Sequence, residues 1–183
     1  MKARMRLLQV TANIASSLVF LSTQAAALSP PPPLLILQDI SLDLAQQGAD
    51  AALAACKEKA IHVVVEVADR NQNIRAFLVS DSTDLRAYDI ARKNVYTVLN
   101  KGMSSRAYAA SLSTEIIIDP QRDPDHKLGL SGGAVPILKT GAVVGVVSVS
   151  GGRTTSADGF QYEACATAGR DKIEAGLKAQ KSN

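Results

Sequence analysis

Two pairs of β-branched runs, each folded back within a few residues, constrain this chain more than any other feature. Ile61 to Ala68 and Ile74 to Ser80 flank the turn Asp69 to Asn73, and Ala134 to Leu138 and Ala142 to Val149 flank Lys139-Thr140-Gly141. Connections this short join antiparallel neighbours, because parallel strands need a crossover of a dozen or more residues. In the first run Ile61, Val63, Val65 and Val67 form a fully apolar face, and His62, Val64, Glu66 and Ala68 a mixed one. Helical spacing surrounds the hairpins. Ser41 reads as an N-cap with Asp43 in the first turn, followed by a stripe of Leu44, Ala45, Gly48, Ala49, Ala52, Leu53 and Cys56 that ends near Lys59. Leu85 to Leu99 repeats the pattern through Tyr88, Ala91, Val95 and Val98; a short helix starts near Ser104 or Ser105. From Tyr162 onward, Ala164, Cys165, Ala168, Ile173 and Leu177 mark a last helix. Ile116 to Ile118 is a brief apolar run before an Asp/Pro-rich loop, Asp119 to Lys127. The order predicts one α+β layered domain rather than a doubly wound parallel sheet.

The N-terminus has a different character. A basic start with Lys2, Arg4 and Arg6 precedes an apolar stretch from Ile14 to Leu21, and Ala25-Ala26-Ala27 then offers a small-residue cut before Leu28. This is the layout of a secretory signal peptide over residues 1–27; the alternative is an amphipathic N-terminal helix. Pro30 to Pro33 make residues 28–38 a stiff Pro-rich linker, leaving 39–180 as the domain. No second long apolar run follows, so the expectation is a secreted or periplasmic protein without a stable membrane anchor. The three leading cations also account for the net charge of +3, and the remaining chain is formally neutral. Without a basic stripe or an aromatic platform, nucleic acid is not an expected partner.

The chemistry legible from residue types alone is sparse. No Ser, His and acid fall at triad spacing, and no CxxC or HExxH pattern suggests zinc. The pairs Gly132-Gly133 and Gly151-Gly152 belong to neither a GxGxxG nor a P-loop pattern and read first as turn glycines. His62 is expected to be partly buried on a strand beside Glu66, with a carboxylate or water partner. His126 falls in the irregular loop, where a solvated histidine is the default, and Met103 lies between two helices.

Several of these segments together carry a resemblance. Gly132-Gly133-Ala134-Val135-Pro136-Ile137, then Gly141-Ala142-Val143-Val144-Gly145-Val146-Val147-Ser148-Val149-Ser150-Gly151-Gly152, then Gln161-Tyr162-Glu163-Ala164-Cys165-Ala166 resemble the C-terminal signature of the GlcG/HbpS-type family, described as haem-binding or haem-degrading. Val65-Glu66-Val67-Ala68-Asp69 and Ala91-Arg92-Lys93-Asn94-Val95-Tyr96-Thr97 resemble two upstream motifs of the same family. The resemblance implies a five-stranded antiparallel sheet with the first and last helices on one face, haem as ligand, and assembly into homo-oligomers. It implies an exported haem- or small-ligand-binding protein without clear catalytic residues; a tetrapyrrole-degrading enzyme and a non-catalytic interaction module are the alternatives. The sequence departs from the family pattern at Ala134, Arg86, Asn94 and Tyr162, and at Gln72, where the loss of a turn glycine is expected to lengthen or loosen the first hairpin.

A ligand site is expected where the helices of residues 84–108 meet the loop running into Gly132-Gly133. That loop is long, the glycines admit close approach, and Arg86, Arg106 and Lys127 are candidate partners for haem propionates. His126 is the first candidate for the axial metal ligand and Met103 the second; the alternative is a solvated loop or an oligomer contact. Export, and the neighbouring helices that the resemblance implies, allow a disulfide between Cys56 and Cys165, against the alternative of two buried thiols.

Overall fold

The computed structural model describes residues 39–112, 127–151 and 159–179. All of them belong to one compact unit, Ile36–Asn183. The element order is α1 (Leu42–Lys57), β1 (Val64–Asp69), β2 (Ile74–Val79), α2 (Arg86–Lys101), α3 (Ser105–Ser111), β3 (Ala134–Lys139), β4 (Ala142–Ser150) and α4 (Phe160–Ala179).

The two hairpins zip together along their inner strands. The sheet order is β2-β1-β4-β3, and every pairing is antiparallel. Val65 stands opposite Leu78 on one side and Val149 on the other, so β1 and β4 are central and buried. Among the described residues the sheet has four strands, where the resemblance implied five. Ile116 to Ile118, the one apolar run left over in the sequence, lies outside the described residues.

Strand alternation sends side chains to two different helical layers. Val63, Val65, Val67, Val147 and Val149 pack with Leu44, Ala45, Ala49, Ala52, Ile173 and Leu177, which puts α1 and α4 together on one face. On the opposite face Val64 meets Ala87 and Ala91, while Ala68 and Val146 meet Val95 and Val98, so α2 covers the other side. The helix ends follow local chemistry: the Ser41 hydroxyl accepts the Leu44 N–H and the Ser104 hydroxyl the Ala107 N–H. Gly102 ends α2 at φ +68°.

The first hairpin carries a register shift between Val67 and Ala68, but its turn is closed. Gln72 takes the glycine's role at φ +67°, and Asp69 holds the turn around it. One Asp69 oxygen accepts the N–H groups of Asn71 and Asn73 at 2.8 and 2.9 Å, and the other accepts the Asn73 amide at 2.9 Å. The side chain thus supplies the closure that a glycine would have made cheap in backbone conformation.

α1 and α4 meet through their small residues. A Cβ on Gly169 would lie 2.6 Å from the Gly48 carbonyl oxygen, so the backbones approach as closely as two helices can. Cys56 and Cys165, with Cα atoms 5.5 Å apart, join these two helices in a disulfide.

Candidate functional site

The corner where sequence reasoning placed the site is tightly built. Gly129 rests directly on α2: its N–H donates to the Thr97 hydroxyl at 2.7 Å and a Cβ there would run into Asn94. Asn94 and Thr97 are both buried, and Asn94 faces Ser131 at 3.4 Å. Asn94, one of the departures from the resemblance, therefore serves loop docking. Ser105, also buried, accepts the Ala134 N–H at 3.1 Å and ties α3 to β3.

Those of the sequence-derived site residues that are described do not all share one cradle. Gly132 and Gly133 are buried, and the close approach they permit is taken by the chain itself. The Cβ of a residue at 133 would meet the Val149 carbonyl oxygen and Tyr162, and Gly159 lies against the Gly132 backbone. Arg106 joins this corner with its guanidinium 5.0 Å from the ring of Phe160, the first residue of α4. Met103 sits on the exposed turn after Gly102, and Lys127 is exposed. Arg86 opens α2 at the far end, roughly 25 Å along the axis from Met103 at 1.5 Å per residue; its guanidinium is bound to Asp84 at 2.8 Å. His126 lies outside the described residues.

Beneath α2 is a buried charge that sequence reasoning assigned differently. Glu66 is 1% exposed in the middle of β1. Its partner is Arg92, whose Nη1 donates to it at 2.7 Å while Nη2 donates to the Gln72 carbonyl at 3.0 Å. Burial raises the Glu66 pKa; the Arg92 hydrogen bond and charge offset only part of that. Burial acts on Asp69 in the same sense, but hydrogen bonds from Asn73 and Asn71 and the charge of Arg75 leave its pKa lowered.

His62, expected to be sequestered beside Glu66, is instead exposed. The strand begins two residues later, at Val64, so His62 belongs to the connection from α1. That connection is rigid on both sides. Before it, Ala60 takes φ +52° and the Ile61 N–H closes back on the Cys56 carbonyl at 3.1 Å, a left-handed helix cap. After it, the Val63 N–H donates to the Ser80 hydroxyl at 2.6 Å, and the Ser80 N–H to the Val63 carbonyl at 2.9 Å. His62 lines an open cleft of about 320 Å³ with Leu53, Ile61 and Val79 as apolar wall and Lys57 and Asp81 as charged neighbours.

Among the described residues no group of three or more His, Cys, Asp and Glu side chains could hold a metal ion, and no helix is long and apolar enough to cross a membrane.

Comparison with known proteins adds a family. The model of the haem-degrading HbpS-like proteins matches residues 40–171. No curated protein matches the sequence. Among solved structures, Klebsiella pneumoniae ORFY is 22% identical with a TM-score of 0.68, covering 80% of this chain and 99% of its own. A double mutant of Streptomyces reticuli HbpS is 25% identical with a TM-score of 0.66, covering 80% and 95%. PduOC, solved as a complex with haem, is 17% identical with a TM-score of 0.65, covering 74% and 95%.

Proposed function

From the premise that this chain belongs to the HbpS-like family, we propose that it is an exported haem-binding protein. The match across nearly the whole domain carries the reading, and the haem complex of the similarly folded PduOC supports it. The residues of this chain fit such a ligand in kind. A haem site needs apolar surface, an axial donor and cations for the propionates. Both cysteines are committed to the disulfide and Tyr88 packs on Phe77 with ring centroids 5.5 Å apart, so imidazole, thioether and the other phenols are the donors of suitable chemistry. When bound, haem would supply its iron for ligand or electron chemistry; the chain holds and orients it.

Export rests on the basic-apolar-small order of residues 1–27 and suits the disulfide, which persists in oxidising compartments. Assembly into homo-oligomers suits the apolar residues left exposed outside the core, Leu85 and Leu42 foremost. Titrating hemin into the purified protein is the deciding experiment: a saturable shift of the Soret band supports the reading, and the spectrum of free hemin at all ratios overturns it. The family description favours a second reading, an enzyme that degrades haem. That reading requires ring-opened product when the hemin complex is given reductant and oxygen.

A further inference from the structure

We propose that the cleft between the end of α1 and the end of β2 is the haem site of this protein, with the His62 imidazole as axial ligand and Lys57 as partner of a propionate. The proposal rests on the haem-binding reading and names the place where it happens. Three observations carry it.

First, His62 is the only histidine among the described residues, and it is exposed at a cleft instead of being consumed inside the sheet. Second, its backbone is fixed from both sides, by the left-handed cap at Ala60 and by the reciprocal bonds between Val63 and Ser80. A donor on so constrained a connection loses little freedom on binding, which is what a preorganised ligand requires. Third, the cleft combines the chemistries that a metal-bearing planar ring needs at once. Leu53, Ile61 and Val79 offer apolar surface, Lys57 offers an ammonium group, and the imidazole stands among them.

The charge balance argues against a simpler occupant. Asp81 lines the same cleft as Lys57, so charge alone holds no anion there, and a propionate beside Lys57 adds only modestly to what the nitrogen donor and the apolar surface supply. What the cleft provides beyond bulk water is a nitrogen donor beside apolar surface. At about 320 Å³ it is at the small end for ligand pockets, and being open it would cover only part of one face of the macrocycle, leaving the rest to solvent or to a second copy. Among the described residues the corner at Met103 holds no histidine, and the chain's own backbone lies against Gly132 and Gly133 there.

The test is a hemin titration of the parent protein, His62→Ala, His126→Ala and Lys57→Ala, read by the Soret band and by electron paramagnetic resonance of the ferric complex. The expected results are a loss of the parent's spectrum with at least tenfold weaker binding for His62→Ala, and no change for His126→Ala. Lys57→Ala should weaken binding a few-fold and keep the parent's spectrum. Free imidazole added to His62→Gly should restore the parent's ferric signal, which separates ligation from a folding defect. If the parent binds and His62→Ala binds with the same affinity and spectrum, the site assignment is wrong and the haem reading stands. If the parent itself gives only the free-hemin spectrum, both fall.

Discussion

Glu66 is the residue whose behaviour most exposes the energetics of the interior. Its carboxylate is almost wholly buried and leans on a single cation, Arg92, whose side chain is 48% exposed. Removing that cation by Arg92→Ala should cost about 3 kcal/mol at neutral pH, the low end for breaking a buried pair because one partner is half in water. The loss should shrink in urea melts near pH 4, where Glu66 carries its proton. Because the folded state raises the Glu66 pKa, its contribution is fully present below the unfolded value and is lost as pH rises through the folded one. Glu66→Gln should therefore gain stability on the parent as pH rises from about 4.5 toward neutrality. Asp69 has the opposite sign: its pKa is lowered, so its contribution is present above the unfolded value and fades on acidification. Gln72→Gly should stabilise the hairpin by up to about 1 kcal/mol, the left-handed penalty relieved less the added freedom of the unfolded chain. Single residues were the least legible part of the sequence. Asn94 and Gln72 look like losses of family chemistry until their hydrogen bonds to distant segments are known. His62 was misplaced because alternation alone does not say where a strand begins.

Among elements, the α1–α4 pair is the one on which the most rests. Gly169→Ala would push a methyl group into the Gly48 carbonyl and against Ala52, both parts of a helix that cannot yield separately. Overpacking of this kind costs about 1–3 kcal/mol. Gly48→Ala would meet Cγ1 and Cδ1 of the buried Ile173 and the Gly169 carbonyl oxygen, so thermal melts should show a loss there too. Replacing both Cys56 and Cys165 by Ala opens a loop of sequence separation 109 and should cost about 4–5 kcal/mol in the chain-entropy view. Elements were also what the sequence disclosed best. Ser41, the stripe from Leu44 to Cys56 and the turn at Thr140-Gly141 each place an element on local grounds, because caps, stripes and turns are short-range physics. Polar side chains that bind loops across the fold, as Thr97 binds Gly129, leave no comparable local trace.

At the scale of the molecule, two hairpins share one seam, β1 against β4, and the helical layers close over both faces. That antiparallel, layered character was readable from turn lengths, as were the four strands of the described residues; a fifth strand was implied by the resemblance alone. N-terminal sequencing of the exported protein should begin at Leu28; a product retaining Lys2 would refute the export proposal. The seam and the disulfide have a consequence for a chain delivered N-terminus first through a narrow exit. The partner of β1 and the partner of Cys56 both lie in the last third of the sequence. Until residue 165 emerges, the first helix has only β1 and β2 to lie on, and Cys56 lacks its native partner. Closing of the α1–α4 layer and of the disulfide therefore waits for the final helix, in whatever order the hairpins form.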